Sequence, residues 1–132
     1  MLLKDFYTVI HHSGPEEELS QKGIPAERYR FTLELNPAHP VYEGHFSGNP
    51  VVPGVCQVQM ISELISVIKR SALRLMHAEN VKFLSLMVPD KNRVIDADIH
   101  VRTAENGDFS VNATLQEGEI VFIRFKGLFR IE

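Results

Sequence analysis

The period of the apolar positions changes along the chain, and those changes divide it into elements. Phe6 to His11 reads as a short strand, followed by a polar connection from Ser13 to Pro25 that carries Pro15, a run of glutamates and Gly23. Tyr29, Phe31, Leu33 and Leu35 then alternate with Arg28, Arg30, Thr32 and Glu34. A period of two marks a strand with one face turned to the core. Asn36-Pro37 ends it, and a stretch dense in glycine and proline follows. From Val55 to about His77 the period lengthens: Val58, Ile61, Ile65, Ile68, Ala72 and Leu75 recur at three- and four-residue steps, with no proline or glycine between them. That spacing predicts one helix about 30 Å long, with Gln59, Ser62, Glu63, Ser66 and Arg70 off its apolar stripe.

Further strands are predicted beyond it. Val81 to Val88 is mostly apolar and closes at Pro89-Asp90, and Ile95, Ala97, Ile99 and Val101 alternate with polar residues. Asn106-Gly107 and Glu117-Gly118 supply tight turns on either side of Phe109, Val111, Ala113 and Leu115. Val121, Ile123, Phe125, Phe129 and Ile131 complete the series. Two strands, one long helix and four strands describe an α+β domain with a largely antiparallel sheet. One helix cannot cover both faces of six strands, so the sheet is expected to curl around it. The edge and face left over invite a partner subunit.

Composition narrows the class without naming a chemistry. The 132 residues fit a single domain, residues 1–132, with 44% hydrophobic residues and a net charge of -3. There is no basic excess of the kind that nucleic-acid binding requires. The lone Cys56 excludes an internal disulfide framework and fits a reducing cytoplasm. Met1-Leu2-Leu3-Lys4-Asp5 sets charges where a signal peptide needs its apolar run, and Glu63, Lys69 and Arg70 break the best candidate for a membrane span. The expectation is a cytoplasmic protein without a membrane span. His39 and His45 lack a cluster of further ligands, so no metal is expected.

The informative stretch is Gly44-His45-Phe46-Ser47-Gly48-Asn49-Pro50-Val51-Val52-Pro53-Gly54-Val55. It is a stiff, mostly apolar loop with one imidazole near its start and a helix opening at its end. The first amides of a helix point outward unpaired, and the helix dipole favours negative charge beside them. With Pro40-Val41-Tyr42-Glu43 before it, this loop resembles the signature of the (3R)-hydroxyacyl-acyl-carrier-protein dehydratases, hotdog-fold enzymes of fatty-acid synthesis. The resemblance covers nearly the whole chain, including Lys126-Gly127 near the last strand. It implies a curled antiparallel sheet of about six strands wrapped around one long central helix. It also implies a homodimer in which each site draws on both protomers, and no cofactor beyond the phosphopantetheine arm of acyl carrier protein, or coenzyme A, that carries the substrate. By the same resemblance His45 is the base, with its second ring nitrogen held by a carbonyl near Val51. The amides of Gly54 and Val55 then form the oxyanion site, where one donor is typically worth about a hundred- to a thousandfold in rate.

The chain departs from that pattern at one position. The family's second catalytic group is a carboxylate fourteen residues after the histidine, and here that residue is Gln59. An amide has no proton to give as a general acid. Glu63 stands one helical turn further on, where the best-known members carry a glutamine, so amide and carboxylate are exchanged across about 6 Å of helix. Glu63 then either replaces the acid, directly or through a water, or lies on a solvated face or beside a cation. The leading expectation is a dehydratase of 3-hydroxyacyl thioesters in fatty-acid, specialised lipid or polyene synthesis. The alternatives are an acyl-thioester-binding subunit, a thioesterase or an isomerase, or a heterodimer in which a paralogous chain supplies the acid. Cys56, on the first turn of the helix, reads as a small buried residue, although the dipole there favours a thiolate.

Overall fold

The computed structural model describes residues 2–19, 22–44 and 50–132. Its elements are β1 (Tyr7–Leu19), β2 (Pro25–Leu35), α1 (Val41–Gly44), α2 (Gly54–Lys69), β3 (Leu73–Phe83), β4 (Val94–Thr103), β5 (Phe109–Glu117) and β6 (Ile120–Ile131). The strands form one antiparallel sheet in the order β1-β2-β4-β5-β6-β3, with β1 and β3 at its edges. The expected α+β hotdog architecture is the one observed, with the sheet curled about α2. Alternation is the cause: Leu33, Ile99, Val111 and Leu115 face inward with no exposed surface, and share one core with Met60, Ile61, Leu64 and Ile65 of α2. Gly107 (φ 92°) and Gly118 (φ 58°) make the tight turns into β5 and β6, in a backbone region that a side chain disfavours.

Four boundaries differ from the sequence reading. β1 runs on to Leu19, through the stretch expected as a polar connection. Pro15 fits because β1 is an edge strand and its register slips between Ser13 and Glu16, so no ladder bond is demanded there. The helix stops at Lys69 instead of reaching His77, giving 16 residues or about 24 Å. Arg70 takes a left-handed conformation (φ 51°, ψ 38°), and the N–H groups of Arg70 and Ser71 close on the carbonyls of Val67 and Ser66. From Leu73 onward the backbone pairs with β6, so the strand expected over Val81 to Val88 lies earlier, and α1 adds one short turn of helix before the loop. Ala72 and Leu75 continue a helical period, but Leu73 and Leu75 equally begin a period of two; pairing with β6 decides between them.

On the outer face, Arg28 of β2 grips Asp98 of β4 through two hydrogen bonds of 2.8 and 2.6 Å. The guanidinium holds the Asp98 carboxyl below the usual carboxylate range, outweighing the opposite effect of partial burial. A folded-state value lowered in this way adds stability above the unfolded carboxyl value of about 3.9, and that stability disappears as the pH falls through the lowered folded value. Asp98→Asn is therefore expected to lower Tm at neutral pH. The gap from wild type should close in strong acid, as thermal denaturation at a series of pH values will register.

Candidate active site

Helix α2 opens without a side-chain cap. Pro53 precedes it in extended backbone (φ -59°, ψ 146°), and its carbonyl accepts from the N–H groups of Cys56 and Gln57 at 3.0 and 3.1 Å. The N–H groups of Gly54 and Val55 meet no acceptor among the described residues. They lie at the positive end of the helix dipole, where unpaired amides favour an anion. The approach to them is braced: Gln57, buried, donates from Nε2 to the Val52 carbonyl at 3.2 Å, and the Val52 N–H donates to Met87 at 2.8 Å. Val51, half-buried, lies in this braced stretch. A Cβ at Gly54 would sit 2.6 Å from Cζ of Phe83, so the ring, which comes from the end of β3, would have to shift. Phe83 was not visible as a site residue in the sequence, because only the sheet's path brings it to the start of α2.

His45, the expected base, lies outside the described residues, as do Phe46 to Asn49. On the near side of the loop, Tyr42 in α1 is buried and its hydroxyl has no hydrogen-bond partner among the described residues. Burial, with smaller contributions from Cys56 and Asp90, pushes that phenol well above its ordinary range, so it remains protonated. His39 packs edge-on against Phe6 at 5.2 Å between ring centres, and its Nδ1 accepts the Val41 N–H at 3.0 Å, a local turn contact. Among the described residues no group of three or more His, Cys, Asp or Glu is arranged to hold a metal ion. Burial pushes the Cys56 thiol up, the reverse of what the helix dipole alone would do.

The exchanged pair on α2 is the unexpected part. Glu63 is only 6% exposed, so it is not on a solvated face, and among the described residues it forms no ion pair. Its carboxylate receives four donors: Leu3 N–H (2.8 Å) and Tyr7 hydroxyl (3.1 Å) on Oε1, Leu2 N–H (2.8 Å) and Gln59 Nε2 (2.8 Å) on Oε2. A carboxylate has about four acceptor sites, and all are used. Burial and the neighbouring Glu63 raise the Tyr7 phenol far above its usual range, so it stays protonated and donates to the carboxylate. Gln59 is exposed, and because its NH₂ is held by Glu63 its amide oxygen is the end turned away from that carboxylate. The buried arc of α2 is rotated from the predicted stripe: Gln57, Met60, Ile61, Glu63, Leu64 and Ile65 are its buried residues.

The model of a family described as ApeI-like (ApeI dehydratase) matches residues 21–121. The 3-hydroxyacyl-[acyl-carrier-protein] dehydratase FabZ of Rickettsia africae (strain ESF-5) is 35% identical over 89 residues, 61% of each chain, and that of Rickettsia felis is 33% identical over the same length. The chain thus spans about 61% of the length of the curated relatives it matches. An uncharacterised protein from Erwinia carotovora subsp. atroseptica superposes with a TM-score of 0.70 at 16% identity, over 95% of this chain and 96% of that one. The dehydratase heterocomplex ApeI:P from Xenorhabdus doucetiae superposes with a TM-score of 0.62 at 19% identity, over 92% of this chain and 96% of the other. These two structural likenesses speak for the fold alone.

Two outcomes follow from this geometry. Glu63→Gln turns an NH₂ toward donors that now meet a carboxylate, and should cost about 1–3 kcal/mol for each buried donor left unpaired. Hydrogen exchange at Leu2 and Leu3 should lose its protection in the same variant. Gly54→Ala should lower Tm by driving its Cβ into Phe83, and Gly54→Ala/Phe83→Ala should recover most of that loss; additive losses in the pair would refute the contact.

Proposed function

The chain belongs to the ApeI-like dehydratase family, and on that premise we propose that it converts 3-hydroxyacyl thioesters on acyl carrier protein to trans-2-enoyl thioesters. The observation that carries this reading is the pair of open amides at Gly54 and Val55, at the end of the loop that holds His45. In the proposed reaction His45 takes the proton beside the thioester carbonyl, and the Val51 carbonyl orients the imidazole. Charge gathers on the thioester oxygen, which the two amides receive. The hydroxyl at the third carbon then leaves as water once it is given a proton. The chain needs no cofactor of its own in this scheme, because the carrier's phosphopantetheine, or coenzyme A, presents the substrate. A cytoplasmic setting belongs to the same proposal; among the described residues no helix is long and apolar enough to cross a membrane.

The assembly we propose is a dimer paired through β3. That edge strand ends at Phe83, which is 55% exposed, and Leu86 just beyond it is 74% exposed. An unpaired strand edge is a template for a second strand. One observation favours a second reading, in which the partner is a different hotdog chain. Glu63 has no free acceptor site and Gln59 is an amide, so the proton for the departing hydroxyl is best supplied from outside this chain. The Xenorhabdus doucetiae relative of this fold was solved as a heterocomplex.

The test is mass spectrometry of a 3-hydroxyacyl carrier protein incubated with the purified chain, alone and with a co-expressed hotdog partner. Loss of water is expected, with His45→Ala slower by about a hundred- to ten-thousandfold. Gln59→Glu should speed the chain on its own. Release of free carrier thiol without an enoyl product would replace dehydration by thioester hydrolysis. A folded chain that is inert at every chain length, alone and partnered, would overturn the proposal.

A further inference from the structure

Lys4 (φ 83°) and Arg70 (φ 51°) are the two non-glycine positions with left-handed backbone among the described residues. Such backbone is uncommon for a residue with a Cβ, and it persists only where the surroundings impose it. Both residues are cations, they lie 66 positions apart, and both line the same cavity. That cavity, about 620 Å³, is bounded by the N-terminal segment, β1, β2 and the last turn of α2. Val9, Phe31, Val67 and Ile68 make its walls apolar, and His12 adds a third basic side chain. No Asp or Glu is among the described residues that line it, although the whole chain carries a net charge of -3.

Two constraints fix the backbone at these two exposed cations. Glu63 fixes the N–H groups of Leu2 and Leu3, and the turn closes as the Lys4 N–H donates to the Tyr7 carbonyl at 2.7 Å. Arg70 occupies the helix-ending position where glycine is the usual residue. The C-terminal end of α2 contributes about half a negative charge of its own, which the formal charges of Lys4 and Arg70 outweigh. The volume lies within the range of about 300–1,000 Å³ typical of small-molecule sites. The cavity borders the last turn of α2, about 20 Å along the helix from Gly54, so it is separate from the open amides.

We propose that this cavity binds an unesterified acyl chain, its tail along Val9, Phe31, Val67 and Ile68 and its carboxylate at Lys4 and Arg70. An apolar pocket whose lining includes two cations and no carboxylate discriminates by head group: a carboxylate gains charge-assisted hydrogen bonds that a neutral alcohol of the same length does not. The inference rests on the cavity and its charges and not on the dehydratase reading. An inert turnover assay leaves it standing, and a working one does not establish it.

Isothermal calorimetry with dodecanoate and dodecanol tests it. Dodecanoate should bind once per chain, and dodecanol roughly tenfold or more weakly. Arg70→Gly is the diagnostic variant, because the two roles of Arg70 move in opposite directions. Glycine accepts left-handed backbone freely, so Tm should hold or rise, while dodecanoate affinity should fall roughly tenfold and dodecanol binding should stay put. Lys4→Gly should behave in the same way. Equal affinity for acid and alcohol, absence of binding by either, or wild-type dodecanoate affinity in both glycine variants would overturn the proposal.

Discussion

The structure depends on one buried carboxylate. Glu63 interrupts the apolar surface of α2, where an unsatisfied charge would be strongly destabilising, and it is tolerated because four donors converge on it. Those donors come from the N-terminal segment, the first residue of β1 and the preceding turn of the helix. Glu63 therefore fixes where the chain begins relative to α2, and with it the edge of the sheet that starts at Tyr7. The left-handed turn at Lys4 lies between the residues so fixed: Leu2 and Leu3 on one side and Tyr7 on the other.

At the other end of α2 the constraint is absence of a cap. Most helices satisfy their first amides with a serine, threonine, asparagine or aspartate. Here proline occupies that position, and the brace from Gln57 to Val52 stabilises the approach without touching the Gly54 and Val55 amides. Phe83 comes over Gly54 because β3 runs antiparallel to β6 at the sheet's edge and ends beside the start of the helix. The site thus depends on a contact between the two ends of the helix-to-strand connection, a tertiary feature that no local pattern encodes.

That distinction explains what could be read from the residues. Strands with strict alternation, such as Ile95 to Val101, and turns marked by Asn106-Gly107 or Glu117-Gly118 were legible because local chemistry and final environment agree. The helix end was not, since Arg70 holds a conformation usually left to glycine and nothing in its neighbours announces it. β1 was underestimated because Gly14, Pro15 and three glutamates look like a connection, yet at a sheet edge they are admissible. The open amides followed from Pro53-Gly54 at a helix start. The fate of Glu63 did not, because two of its four donors are backbone amides some sixty residues away, and backbone amides carry no sequence signature.

The exchange of carboxylate and amide along α2 has a chemical consequence. With its NH₂ committed to Glu63, Gln59 turns an amide oxygen outward, which can accept a hydrogen bond from a hydroxyl or a water but cannot transfer a proton to it. A general acid is worth about a hundred- to ten-thousandfold, equivalent to about 3–5 kcal/mol of barrier. Stability and chemistry compete at this pair: withdrawing Glu63 to serve as the acid would strand its donors, at about 1–3 kcal/mol for each one left buried and unpaired. Gln59 is exposed and can turn to water, but the donors from Leu2, Leu3 and Tyr7 together would cost about 3–9 kcal/mol, as much as the acid contributes or more. In the proposed dehydration a carboxylate supplied by a second chain avoids that cost, since the N-terminal segment stays docked and Gln59 keeps its amide oxygen turned away from Glu63. On this balance, an acid from outside the chain is energetically preferable to one taken from its own helix.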